Sequence, residues 1–536
     1  MREGLMMDDY PLSLTTVVER AERFSAEREV VFRRPDGSVG RTTFGACAER
    51  ARRLGAALTQ LGVKPGDPVA TLLWNQPEHL ELYFAVPAMG AVIHTLNPRL
   101  HRDELSFIVD DAEDRAIVVD ESLLEVFETF HDARDFEHVI VVSRSGSVPD
   151  GYLDYESVIA GAQAMDWPEA DERQAAAMCY TSGTTGRPKG VVYSHRSLVL
   201  HSLVAALPDG NCVTRNDTIL PVVPMFHANA WGLIYTAALV GSGLVLPGPR
   251  LDAVSVLDLL AAERVTLTAG VPTVWMAVLE AIEDEPDRWD LSALRQLLVG
   301  GSAAPRSMLA GFDRRGLTIV HAWGMTETSP LGSVCRLPRE LEDAAEDEQL
   351  DYRSRQGIPS PFVEIRARND QGELVTWDDE AMGELEVRGP WVARAYHRDQ
   401  GSEKFTADGW FQTGDVVKID TGGNLRICDR SKDLVKSGGE WISSVDLENL
   451  LMAHPAVVEA AVIAIPDERW GERPLAVVVL REGESAGPDD LREHLAQQYA
   501  KWQVPDRYEF VDELPRTATG KFKKTTLRER FVDAKV

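Results

Sequence analysis

One segment of the chain announces its chemistry directly: Tyr180-Thr181-Ser182-Gly183-Thr184-Thr185-Gly186-Arg187-Pro188-Lys189-Gly190. Glycine lacks a Cβ, so such a loop can take positive φ and bring backbone N–H groups close to an anion. Ser and Thr add hydroxyl donors and Lys189 adds charge, which suits the loop to cradling phosphate. The spacing G-x-x-G-x-x-K, with no Ser or Thr after the lysine, separates it from a Walker loop. A plain turn between a strand and a helix is the bland alternative, but the full string is too particular for one. Four more strings follow in order. They are His321-Ala322-Trp323-Gly324-Met325-Thr326-Glu327, Thr413-Gly414-Asp415, Asp429-Arg430 through Lys436-Ser437-Gly438-Gly439-Glu440, and Pro515-Arg516-Thr517-Ala518-Thr519-Gly520-Lys521.

These strings need a scaffold, and helix-period and strand-like segments alternate around them. Gly45–Gly62 places small and apolar residues on one stripe; Pro68–Trp74, Ala116–Asp120 and His138–Ser143 read as buried strands. PEHLELYFAVPAMG between the first two reads as a helix. The rhythm predicts an α/β fold, with parallel sheets covered by helices in two doubly wound layers. From about residue 360 shorter alternating segments predict a largely antiparallel β-subdomain over 360–429. After Asp429 the chain turns compact and α+β again, so we expect an N-terminal body over 1–429 and a small C-terminal domain over 430–536. The acidic run from Glu340 to Asp351 reads as a solvated loop or helix face.

Composition narrows the function. The 536 residues are 44% hydrophobic and 26% charged, an ordinary globular balance. There are 85 acidic residues against 56 basic ones, a net charge of −29, so nucleic acid and anionic membrane are poor partners. A small anionic ligand in a local positive pocket stays open. Five scattered cysteines without a CxxC pair predict neither a disulfide frame nor a zinc site. The first residues lack the apolar core of a signal peptide. Thr218 to Pro249 carries no charged residue, but Pro221, Pro224, Pro247, His227, Asn229, Gly232, Gly241 and Gly243 argue against a membrane span. A buried helix plus strand is expected there, with no integral membrane segment and a cytoplasmic location.

Taken together, the five ordered strings resemble those of the adenylate-forming superfamily: acyl-CoA synthetases, luciferases and peptide-synthetase adenylation domains. The resemblance spans nearly the whole chain. VVPMFHANAW, LVGGSAAPRS and KSGGEWISSVDLENLL are similar to bacterial medium- and long-chain fatty acyl-CoA synthetases. The resemblance implies ATP and CoA as substrates, a fatty acid as the third, Mg2+ as the metal and a homodimer. It assigns Glu327 and Thr181 to Mg2+, and Thr181 through Gly186 with Lys189 to the phosphates. Gly301, His321, Ala322, Thr326 and Trp441 fall to the rest of the nucleotide. Asp415 and Arg430 fall to the ribose, Lys432 to the hinge, and Lys436 to a phosphate contact in the first of two conformations. Lys521 is implied as the catalytic lysine that stabilises charge during adenylate formation. The small domain is then expected to be mobile. It would turn about Lys432, withdraw Lys521 and present Gly438 and Gly439 to the pantetheine arm of CoA. Cys179 beside the loop reads as a small buried residue, since acyl-AMP needs no enzyme nucleophile.

The same resemblance lines the acyl pocket with Phe226, His227, Ala228, Trp231, Val299, Gly300, Gly301, Trp323 and Met325. Peptide-synthetase domains usually follow the Phe with an Asp that pairs the substrate amine; here His227 follows, which disfavours an amino acid. Trp231 resembles a tryptophan gate of a long-chain relative. Trp323 departs from the Tyr-Gly of such relatives and is expected to shorten the tunnel. We therefore expect a medium- to long-chain fatty acid, with a short thioether acid such as methylmercaptopropionate as the alternative. A non-catalytic nucleotide or acyl-AMP sensor would not need Lys521, Glu327 and Asp415 together.

Overall fold

The computed structural model describes residues 6–7, 9–181, 187–438, 440–516 and 522–532, without the side chain of residue 440. Ser182 to Gly186, Gly439 and Lys521 therefore lie outside the described residues. The described residues form four sheets. One runs Leu153–Asp154, His138–Val142, Ala116–Asp120, Pro68–Leu72, Val92–Thr95, Ala175–Tyr180 and Gly190–Ser194 in spatial order. All its neighbours are parallel except the last pair. Every residue of Ala116–Asp120 is buried, as expected of a parallel strand covered on both faces. A second sheet is parallel from Ile319–Gly324 across Gln296–Val299, Leu267–Gly270, Thr218–Pro221 and Gly243–Leu246 to Glu29–Arg33, with antiparallel strands at its ends. The two sheets are the doubly wound layers read from the sequence rhythm.

The helix expected after the first strand spans Pro77–Ala88, and all twelve of its residues are buried. A helix covered on every side must satisfy its charges internally. Glu81 meets Arg50 Nε at 2.7 Å and the Tyr155 hydroxyl at 2.7 Å. Burial still pushes its carboxyl up to about 7. The acidic run includes the helix Glu346–Ser354, which has no buried residue. The uncharged stretch resolves into the strand Thr218–Pro221, the helix Leu233–Val240 and the strand Gly243–Leu246. Among the described residues no helix is long and apolar enough to cross a membrane.

The strands Glu364–Arg368, Gly383–Arg388, Phe411–Ile419 and Leu425–Arg430 form an antiparallel sheet. Beyond it, Val435–Ser437, Glu440–Ile442, Val457–Asp467, Gly471–Leu480 and Arg507–Phe510 build the fourth sheet. Helices Ser444–Met452, Pro488–Ala496 and Lys524–Phe531 accompany it. Val435, Leu447, Val462, Val478 and Leu491 close a core here that is separate from those of the larger body.

Candidate functional site

A cleft of about 810 Å3 gathers residues from the body, the antiparallel sheet and the C-terminal unit. Its phosphate-loop end rests on a hairpin. Ala175–Tyr180 pairs antiparallel with Gly190–Ser194, and Tyr180 faces Gly190. The loop between them thus connects two strands, not a strand and a helix. Thr181 and Lys189 tie its base: the Thr181 N–H donates to the Lys189 carbonyl at 2.9 Å, and the Lys189 N–H donates to Thr181 Oγ1 at 3.1 Å. Lys189 Nζ sits 3.7 Å from Glu403 and over the Tyr396 ring.

Glu327 enters the cleft from the short turn Thr326–Thr328 that follows the strand Ile319–Gly324. It is 5% exposed. Burial raises its carboxyl above the usual range, opposed by the Tyr396 hydroxyl, which donates to Oε1 at 2.5 Å. The Thr326 carbonyl accepts the Tyr193 hydroxyl at 2.8 Å, which anchors the turn. Among the described residues no group of three acidic, His or Cys side chains could hold a metal. One buried carboxylate with a Thr hydroxyl in the same cleft instead suits a hard cation that takes its remaining oxygens from substrate phosphates and water.

At the next station Asp415 is buried on the strand Phe411–Ile419. Its partner across the sheet is Arg430, whose Nε lies 2.7 Å from Oδ1. Oδ2 accepts the Trp323 indole N–H at 2.9 Å. Trp323 is thereby held against the carboxylate expected to take the sugar, while its ring lines the cleft. Its neighbour Ala322 also lines the cleft, but the His321 ring turns to the Ser354 carbonyl at 3.0 Å. Lys432 lines the same end; burial lowers the pKa of its ammonium, and Arg430 and Arg528 add to that.

The third region is apolar. His227, Ala228, Trp231, Leu298, Gly300, Gly301 and Met325 line it. Four consecutive non-glycine residues, Ala228 to Trp231, have positive φ, and Gly232 continues the left-handed turn. Each such residue costs about 1–2 kcal/mol, so the turn must be held from outside. Asn229 Oδ1 lies 3.2 Å from the Tyr83 hydroxyl. A Cβ on Gly232 would fall 2.3 Å from the His201 ring, so only glycine fits the end of the turn. The turn lays the Trp231 indole against Gly300, where an added Cβ would meet the ring at 3.3 Å. Val299 and Phe226, expected in the lining, are absent from it; Leu298 faces the cleft and Val299 packs into the core behind. Cys179 is buried 3.4 Å from Thr95 Oγ1, and burial raises its thiol pKa.

From the C-terminal unit, Phe522, Lys523, Lys524 and Thr525 line the cleft, directly after the position of Lys521. Asp415 is absent from the lining, and three other expected residues stay outside it. Lys436 and Trp441 face each other on the hairpin Val435–Ser437/Glu440–Ile442, with the ammonium 5.6 Å from the indole and 3.7 Å from Asp370. Gly438 donates its N–H to the Trp470 carbonyl at 2.7 Å. Conversely, Tyr396, Gln400, Glu403, Lys404 and Asn211 line the cleft without belonging to any motif. Each lies outside the five strings, in segments whose composition carries no mark of a site.

Comparisons with known proteins give a consistent picture. The family model for the AMP-binding enzyme matches residues 17–397, and that for the AMP-binding enzyme C-terminal domain matches residues 446–521. A long-chain-fatty-acid–CoA ligase of Thermus thermophilus is 49% identical, over 98% of this chain and 96% of its own. A medium-chain-fatty-acid–CoA ligase of Ectopseudomonas oleovorans is 44% identical, over 99% of this chain and 98% of its own. A 3-methylmercaptopropionyl-CoA ligase of Ruegeria pomeroyi is 43% identical, over 98% of both. Among solved structures, the anthranilate CoA ligase AuaEII in complex with anthranoyl-AMP superposes with a TM-score of 0.87 at 26% identity, covering 98% of this chain and 99% of that one. ATP-bound MatB from Rhodopseudomonas palustris gives 0.83 at 27% identity, covering 97% and 99%.

Proposed function

The chain belongs to the AMP-binding enzyme family and is an AMP-forming acyl-CoA synthetase, and we propose how its cleft divides the work on a medium- to long-chain fatty acid. The observation that carries the reading is the continuity of one cleft from the paired Thr181 and Lys189, past Glu327 and Arg430, to the apolar wall of Ala228, Trp231 and Leu298; Asp415 stands behind that cleft as the partner of Arg430. A fatty acid needs that combination: an anionic head delivered to ATP and a tail removed from water.

In the first step a carboxylate oxygen attacks the α-phosphorus of ATP, the bond to the bridging oxygen breaks, and pyrophosphate leaves. The loop over Thr181 to Gly186 with Lys189 binds the phosphates, Asp415 and Arg430 hold the ribose, and Gly301 and Ala322 border the base. Thr326 anchors the turn bearing Glu327, and Lys521 neutralises charge on the α-phosphate and carboxylate. Glu327 and Thr181 would hold Mg2+, which screens the repulsion between the two anions. In the second step the small domain, from residue 430 on, turns about Lys432. That motion withdraws Lys521 and carries Gly438 and Gly439 to the cleft. The CoA sulfur then attacks the acyl carbon and loses its proton, and AMP departs with the electrons of the acyl C–O bond. The reading includes a homodimer acting in the cytoplasm.

Each buried methylene is worth about 0.8 kcal/mol, nearly fourfold in affinity, until the tunnel ends. A short thioether acid is the second reading, motivated by the 43% identical relative. Both are tested by measuring acid-dependent pyrophosphate release and thioester formation from ATP, Mg2+ and CoA over straight-chain acids of two to eighteen carbons and methylmercaptopropionate. Lys521→Ala runs alongside. Thioester with an optimum at six carbons or more supports the proposal. Turnover confined to the thioether acid, or to benzoates and cinnamates, refutes it.

A further inference from the structure

The body and the C-terminal unit are joined by one short run, Ser431–Leu434, between the strands Leu425–Arg430 and Val435–Ser437. Just before it stands Asp429, 1% exposed. Its Oδ2 accepts the backbone N–H of Ser444 at 2.7 Å, and its Oδ1 accepts that of Arg430 at 2.8 Å. Ser444 opens the helix Ser444–Met452, so a body carboxylate sits where the partial positive charge of a helix N-terminus from the other unit favours it. Ser444 Oγ accepts Lys524 Nζ at 2.5 Å, and the same ammonium lies 2.6 Å from Glu448. Burial alone would depress the Lys524 pKa, but Glu448, Asp429 and Asp433 outweigh it and keep the group charged.

Lys524 also opens the helix Lys524–Phe531 and lines the cleft. Immediately before it, the Lys523 N–H donates to the Pro515 carbonyl at 2.7 Å, and Arg516 bridges Phe522. These contacts close the base of the segment 517–521. A continuous path of charge and hydrogen bonds therefore runs from Asp429 through Ser444 and Lys524 to the base of the segment bearing Lys521.

We propose that Asp429 and Lys524 are positioning residues for acyl-AMP formation. Asp429 docks the C-terminal unit in the orientation in which Phe522 to Thr525 line the cleft, and Lys524 ties that docking to the paired Arg516 and Phe522. The proposal rests on the two-step reading above. A turn about Lys432 separates Asp429, before the pivot, from Ser444 and Lys524, after it. The contact thus serves the first step and is absent from the second.

Asp429→Asn keeps the size and an acceptor oxygen but removes the charge. Losing one charge-assisted contact of this kind is expected to lower kcat for pyrophosphate release about tenfold. KM for ATP and the rate of thioester formation from supplied acyl-AMP and CoA should each stay within about twofold, a split that loss of fold or of ribose binding would not produce. An equal fall in both half-reactions, or a raised KM for ATP at unchanged kcat, overturns the proposal. Amide hydrogen exchange supplies a readout that does not depend on the acid. Peptides covering 443–453 and 522–532 are expected to exchange faster in Asp429→Asn than in wild type, and unchanged exchange in both overturns the proposal. Wild type that releases no pyrophosphate with any acid would refute the fatty-acid reading, and the exchange measurement would still decide the docking.

Discussion

Replacing Trp323 by phenylalanine separates two roles for this side chain. The substitution keeps an aromatic ring in the cleft and deletes the indole N–H, which donates to Asp415 Oδ2 at 2.9 Å. A hydrogen bond to a charged acceptor contributes about 1.5–3 kcal/mol, or roughly ten- to a hundredfold at about 1.4 kcal/mol per decade. Arg430 remains 2.7 Å from the other oxygen, so the carboxylate is not orphaned and the lower figure applies. Trp323→Phe should therefore lower kcat/KM for ATP about tenfold, the cost of one such bond. The chain-length optimum should stay where it is. The assay is pyrophosphate release against ATP concentration with one saturating fatty acid, repeated over the acid series. Combining the change with Asp415→Asn should give much less than the sum of the single effects, because both act through one carboxylate. Unmoved ATP parameters with an optimum displaced towards longer acids would refute the reasoning and return Trp323 to the tunnel end.

Gly300→Ala would place a Cβ 3.0 Å from the Ala322 carbonyl and 3.3 Å from the Trp231 ring. Selectivity should move towards shorter acids, by about fourfold for each methylene displaced, measured as kcat/KM ratios between neighbouring chain lengths. Tyr396→Phe removes the hydroxyl that donates to Glu327 at 2.5 Å. If Glu327 holds Mg2+, the half-saturating Mg2+ concentration should rise about tenfold or more, the usual effect of losing a partner of a metal ligand. Glu81 has its folded pKa raised by burial to about 7. Its stabilising contribution is complete below the unfolded value and is lost as pH rises through about 7. The stability of Glu81→Gln relative to wild type should accordingly improve between pH 5 and pH 8 in urea titrations, and a constant difference would contradict it.

The strings that do chemistry were legible because their residue types are improbable without a task. Their scaffold was legible because AIVVD at Ala116–Asp120 or the stripe of Phe44–Gln60 encodes period and burial within a few residues. The hairpin base of the phosphate loop depended on Gly190–Ser194 pairing antiparallel with Ala175–Tyr180. Trp323 was visible as an aromatic in a motif, but its bond to Asp415 spans 92 positions. Tyr396 lies 69 positions from Glu327 and gave no local signal at all. The left-handed turn from Ala228 to Gly232 runs against backbone preference and persists because Tyr83 and His201 surround it. Local sequence thus determined which residues are apolar, flexible or charged and where helices and strands begin. Packing of the sheets and the C-terminal unit decided which of those residues meet, because contact between distant positions depends on the register and orientation of whole elements, and neither is written in any short stretch of chain.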